Sequence, residues 1–82
     1  MIKILFFGAL RERLQCASLQ MPLHTPCAVS ELLNQLRQQS ALFAGALADN
    51  NLLCALNQQL CGTEVLVQPG DEVAFFPPVT GG

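Results

Sequence analysis

The strongest constraint on how this chain can fold is one amphipathic stripe near its middle. Val29, Leu32, Leu33 and Leu36 recur at i, i+3, i+4 and i+7, while Asn34, Gln35, Arg37, Gln38 and Gln39 occupy the opposite side. That pattern predicts a helix with one buried face, and the cover for that face has to come from strands on both sides of it in sequence. Residues 2–7 alternate Ile2, Ile4 and Phe6 against Lys3, Leu5 and Phe7. At the other end, Val73 and Phe75 alternate with Ala74 and Phe76.

Between these landmarks the chain is punctuated clearly. Gly8 ends the first strand, Leu10 and Leu14 are spaced for a short helix, and Ala17 to Met21 can return as a strand before Pro22 and Pro26. Ala28 or Cys27 falls where a Ser, Thr or Asp cap is expected, so the helix start is weakly marked. Leu42, Phe43, Ala46 and Leu47 suggest a further helical turn closed by Asp49-Asn50-Asn51. Leu52 to Leu56 reads as a buried strand, and Asn57-Gln58 as a tight turn into Gln59 to Cys61. Gln68-Pro69-Gly70-Asp71 has the Pro and Gly that a type II turn requires sterically. Pro77 has no N–H for a sheet ladder, so pairing should stop there. The fold class is therefore α+β, with a sheet of four to five strands on one main helix, a domain over 1–76 and an extended tail over 77–82.

Size and composition narrow the function. A chain of 82 residues is one small domain, and such a domain buries only about 60% of the surface its unfolded chain exposes. Its residues are 51% hydrophobic and 12% charged, against about 25% charged in an average soluble domain. The excess has to surface somewhere, and a contiguous apolar patch marks protein association. A net charge of −2 without a basic cluster argues against nucleic acid or an anionic membrane. The apolar start is cut short by Arg11-Glu12-Arg13 with no small-residue cleavage site, and no stretch approaches the ~20 residues that span a bilayer. The expected location is the cytoplasm.

Cys16, Cys27, Cys54 and Cys61 form no CxxC pair, and His24 is the sole histidine, so no metal site is expected. In a reducing compartment these cysteines act as small hydrophobes. Asp71 and Glu72 are neighbours and point apart on a strand, which disqualifies them as a paired acid and base. With no nucleophile and base constellation and no phosphate-cradling loop, catalytic groups have to come from a partner.

The sequence closes on Phe75-Phe76-Pro77-Pro78-Val79-Thr80-Gly81-Gly82. Gly81 and Gly82 lack Cβ atoms and can thread a narrow channel. Pro77 and Pro78 hold the approach extended, and the segment reaches ~20 Å at about 3.3 Å per residue. A terminal carboxylate is a poor acyl donor, so it needs activation, most simply adenylation by ATP. Attack by sulfur on that anhydride would leave a thiocarboxylate.

The run from Pro69 to Gly82, together with Ile2-Lys3-Ile4-Leu5-Phe6-Phe7, Leu10-Arg11-Glu12, the central helix and Asn57, closely resembles the small subunit family of molybdopterin synthase. The resemblance implies a ubiquitin-like β-grasp fold. It implies that Gly82 is adenylated by an enzyme of the ubiquitin-activating type, carries sulfur as a thiocarboxylate and gives it to cyclic pyranopterin monophosphate, with Gly81 as the slender neighbour. It implies no permanently bound cofactor, with ATP used by the activating partner. The large synthase subunit would be the main partner, two small with two large subunits. Phe7, Leu60 and Phe76 are the expected dock, continued by Pro77, Pro78, Val79 and Thr80. The competing readings are a sulfur carrier for thiamine thiazole, a ubiquitin-like protein modifier, and a β-grasp binding module with an inert tail. The cysteines and Cys61-Gly62-Thr63-Glu64 take no role from the resemblance.

Overall fold

The computed structural model describes residues 1–48 and 51–78. The elements run β1 (Ile2–Phe6), α1 (Gly8–Leu14), β2 (Ser18–Met21), β3 (Cys27–Ala28), α2 (Val29–Arg37), α3 (Ala41–Ala46), β4 (Leu53–Leu56), β5 (Gln59–Cys61), β6 (Leu66–Val67) and β7 (Glu72–Phe76). Five strands form a mixed sheet in the order β2-β1-β7-β4-β5. β1 and β7 lie parallel at its centre, and the other pairings are antiparallel. This is the β-grasp arrangement that the family resemblance implies: the sheet closes over α2.

Alternation along the strands assigns the two faces. Ile2, Ile4 and Phe6 of β1 and Val73 and Phe75 of β7 point inward and are at most 2% exposed. They meet Val29, Leu32, Leu33 and Leu36 of α2, so the stripe that predicts the helix is the stripe that is buried. Phe6 stacks on Phe75 at 6.4 Å and meets Phe43 of α3 edge-on at 6.0 Å. Ala46 of α3 and Leu47 just beyond it are buried but Leu42 is 48% exposed, so only part of that apolar cluster is core. Ser40 caps α3 by accepting from the Phe43 amide at 3.2 Å.

Two features have no local signature in the sequence. β3 and β6 form a separate two-stranded sheet that pairs Cys27 with Val67 and Ala28 with Leu66. It delivers the chain into α2 and also answers the missing cap. Ala28 offers no side-chain acceptor. The Val29 amide instead donates to the Val65 carbonyl at 3.0 Å, and the Ser30 amide to the Thr63 carbonyl at 2.9 Å. The segment from Cys61 to Glu64, which has no assignable function in the sequence, thus leads into a loop that caps the main helix.

The turns follow their residue chemistry. Gly70 has φ of +93°, and the Asp71 amide closes the turn on the Gln68 carbonyl at 3.0 Å. Asn57 and Gln58 both have positive φ, as a tight β4–β5 hairpin turn requires.

Candidate functional site

The outward face of the five-stranded sheet is apolar along most of its width. One row across the strands is Leu5, Ala74, Ala55 and Leu60, each the register partner of the next. A second row places Phe76 opposite Leu53. Phe7 extends it on the other side, because its amide donates to the Phe75 carbonyl at 3.1 Å and carries the β1–β7 ladder one step further. Leu60 is 73% exposed and Phe7 48%. Leu53 is 38% exposed, and Leu5 and Phe76 are half-buried. Between them Ala55 and Ala74 are small and screened by their larger neighbours, which leaves a shallow apolar trough. At the far end of the face Lys3 opposes Glu72, so the surface runs from a charged end to an aromatic end.

At the aromatic end the face drops into a pocket of about 440 Å³ walled by Phe7, Gly8, Phe76, Pro77 and Pro78. The sequence explains the shape. Phe7 is the extended residue that follows β1 and precedes α1, and Phe76 is the last residue of β7. Their side chains therefore flank the point where both central strands end. Gly8 turns the chain at φ of +61°, a conformation that L side chains rarely adopt. A Cβ there would sit 3.6 Å from the Pro77 ring, in ordinary contact. Backbone conformation rather than crowding thus selects glycine. Pro77 and Pro78 are half-buried at the pocket's edge.

The structure gathers Phe7, Phe76, Pro77 and Pro78 at this pocket, with Leu60 two strands away on the same face. Val79, Thr80, Gly81 and Gly82 lie outside the described residues. Leu5 and Ala74 join the surface by alternating onto the sides of Phe7 and Phe76, as their strands predict, whereas Leu53, Ala55 and Gly8 have no such signal in the sequence. Leu53-Cys54-Ala55-Leu56 is apolar at every position, so alternation does not reveal which side chains face outward, and the strand reads as buried. It is covered on one side only.

The remaining chemistry-bearing groups lie elsewhere. Cys54 is buried on the inner face, and its thiol donates to the Cys61 carbonyl at 3.2 Å. Burial, then the hydrogen bond and charge of Cys61 and the charge of Glu64, push the Cys54 thiol up to about 12, so it is protonated at neutral pH. Burial, with a smaller contribution from Glu31, also raises the Cys27 thiol. Asn57 and Asp71 are tied to each other by a 3.1 Å hydrogen bond and to backbone amides of the neighbouring turn and strand, which is structural work. Among the described residues no group of three or more His, Cys, Asp or Glu side chains is placed to hold a metal. No helix among them is long and apolar enough to cross a membrane.

Comparison with known proteins agrees with the fold. The chain is 44% identical over 82 residues to a molybdopterin synthase sulfur carrier subunit of Escherichia coli, in an alignment that covers 100% of both chains. Its fold matches the crystal structure of SAMP1 from Haloferax volcanii with a TM-score of 0.77, at 21% identity over 99% of this chain and 98% of that one. It also matches a chain of the complex of subunits 1 and 2 of molybdopterin-converting factor from Helicobacter pylori with a TM-score of 0.67, at 24% identity over 99% and 97%. The sequence model of the ThiS family matches residues 4–82, and the chain belongs to the ThiS family.

Proposed function

We propose that this chain is a sulfur carrier of molybdenum cofactor biosynthesis, the small subunit of molybdopterin synthase. The observation that carries this reading is the continuity of the apolar sheet face with the root of the tail. Phe7 and Phe76 wall the pocket from which Pro77 and Pro78 lead toward Val79, Thr80, Gly81 and Gly82. A partner seated on the face through Leu60, Phe76 and Phe7 would receive the tail at the same time. Full-length similarity to a protein named for this role supports the assignment.

In this reading the chain contributes placement and a carrier atom, and its partners contribute the catalytic groups. An adenylating partner of the ubiquitin-activating type joins the Gly82 carboxylate to AMP from ATP. A sulfur nucleophile then displaces AMP and leaves a thiocarboxylate. The large synthase subunit takes the face, the tail enters its active site, and sulfur passes to cyclic pyranopterin monophosphate. Two small and two large subunits make the assembly, and the location is the cytoplasm.

Reconstitution of the synthase with sulfurated chain tests this directly. Intact chain should support dithiolene formation, while a chain lacking Gly82 or extended by one residue beyond it should not. Thiazole formation or isopeptide linkage to lysines in place of dithiolene would move the chain to one of the other two carrier readings. Full activity of the extended chain would overturn the assignment.

A further inference from the structure

We propose that Cys54 and Cys61 form a dithiol modification site, which closes to a disulfide across the β4–β5 hairpin on reaction with a small oxidised disulfide such as glutathione disulfide. The site does not depend on the carrier reading. It rests on register. Cys54 and Cys61 are direct partners in the antiparallel β4–β5 pair, and paired antiparallel residues hold their Cα atoms about 4.5–5.5 Å apart, inside the range of about 4.4–6.8 Å that a disulfide spans. Their sulfurs already touch at 3.7 Å. Closing the bond to about 2.05 Å needs side-chain rotation and a small approach of the strands rather than refolding. β5 is an edge strand of the sheet, so β4 alone holds it and no second neighbour resists that approach.

The two thiols differ in a way that orders the chemistry. Cys61 is half-buried at the sheet edge and accessible to a small reagent, whereas Cys54 is 3% exposed. The Cys61 thiolate attacks one sulfur of glutathione disulfide, the reagent's S–S bond breaks, and one glutathione leaves as thiolate. The Cys54 sulfur then attacks the Cys61 sulfur of the mixed disulfide, loses its proton and expels the second glutathione. Two protein thiols are oxidised by two electrons, one glutathione disulfide is reduced to two glutathiones, and the two cysteine protons end on them. Part of what holds the Cys54 proton is the charge of Cys61, which disappears once Cys61 is capped. Burial, the hydrogen bond to the Cys61 carbonyl and Glu64 remain, so the second step is the slower one. The Cys16 thiol donates to the Ser18 carbonyl at 3.2 Å on the other side of the fold, and Cys27 lies in the β3–β6 sheet.

The test is a time course of the full reduced chain with excess glutathione disulfide, quenched in acid, alkylated, and read by intact mass and peptide mapping. The expected sequence is a transient single glutathione on Cys61, then a glutathione-free product that has lost two of its four alkylatable thiols and links residues 54 and 61. A Cys54→Ser chain should keep its glutathione on Cys61, and a Cys61→Ser chain should leave Cys54 reduced. Persistent glutathione on Cys61 of the unsubstituted chain with Cys54 still alkylatable would overturn the proposal. So would first reaction at Cys16 or Cys27, or disulfide-linked dimers as the main product. The unsubstituted chain decides these outcomes even if a variant fails to fold.

Discussion

Phe75 and Phe76 are adjacent, chemically identical and assigned opposite work by the pleat. Phe75 is fully buried between β1 and β4, while Phe76 is half-buried at the rim of the tail pocket. Phe75→Ala should therefore lower unfolding stability by about 3–5 kcal/mol in denaturant titrations. Phe76→Arg should leave the denaturation midpoint almost unchanged. It should weaken binding of the large subunit by at least ~30-fold in calorimetry, the loss of about 2 kcal/mol expected of an aromatic anchor. If Phe76→Arg unfolds the domain instead, that residue is core and the docking face is misassigned. The alternation that separates these two residues is legible in Glu72-Val73-Ala74-Phe75-Phe76 itself. Cys54 gives a second residue-scale prediction. Its folded pKa is raised from 9.0 to about 12, first by burial. The folded state then keeps a proton that the unfolded state sheds, so this contribution to stability is complete below pH 9 and falls as pH rises toward 12. With no tyrosine in the chain to titrate over that range, the decline in thermal midpoint above pH 9 should be shallower in Cys54→Ala than in the unsubstituted chain. Equal slopes would contradict the burial assignment.

The elements divide into those written locally and those written by contact. α2 is legible because one periodic stripe decides it, and β1 and β7 because alternation survives in both. β3 and β6 are two residues each and exist only because the chain brings them together, so no window of sequence carries them. The start of α2 is hidden for the same reason, since its acceptors are the carbonyls of Thr63 and Val65, more than thirty positions away. The β4–β5 turn lies between these cases. Asn57 is visible as a turn residue, but its anchoring to Asp71 and Glu72 is not. Its side chain receives the Glu72 amide at 3.0 Å and donates to Asp71 at 3.1 Å, while its φ is +50°. Asn57→Ala should cost about 2–3 kcal/mol from lost hydrogen bonds and left-handed strain together. Asn57→Gly should recover the strain and remain about 1–2 kcal/mol short, which chemical denaturation of the two variants measures.

At the scale of the whole molecule, the composition already contains the need for a partner, but not its address. A strand apolar on both faces, such as Leu53 to Leu56, normally has both faces covered. Here α2 and its neighbours cover the inner side, and the outer side carries Leu53, Ala55 and Leu60 in a surface that ends at the tail pocket. The excess apolar residues visible in the sequence are thus concentrated beside the root of the tail. That juxtaposition requires the strand order, which no local pattern specifies. The sequence pattern alone reaches α+β and a projecting tail, whereas the face, the pocket and the role of Gly8 require coordinates.

The most direct test of a tail that carries sulfur is the mass of its C-terminal peptide after the chain is incubated with ATP, an activating enzyme and a sulfur source. The expected result is exchange of one oxygen for sulfur at Gly82, dependent on ATP and unchanged when the four cysteines are blocked beforehand. Sulfur found only on Cys16, Cys27, Cys54 or Cys61, with the peptide ending in Gly82 unaltered, would contradict it.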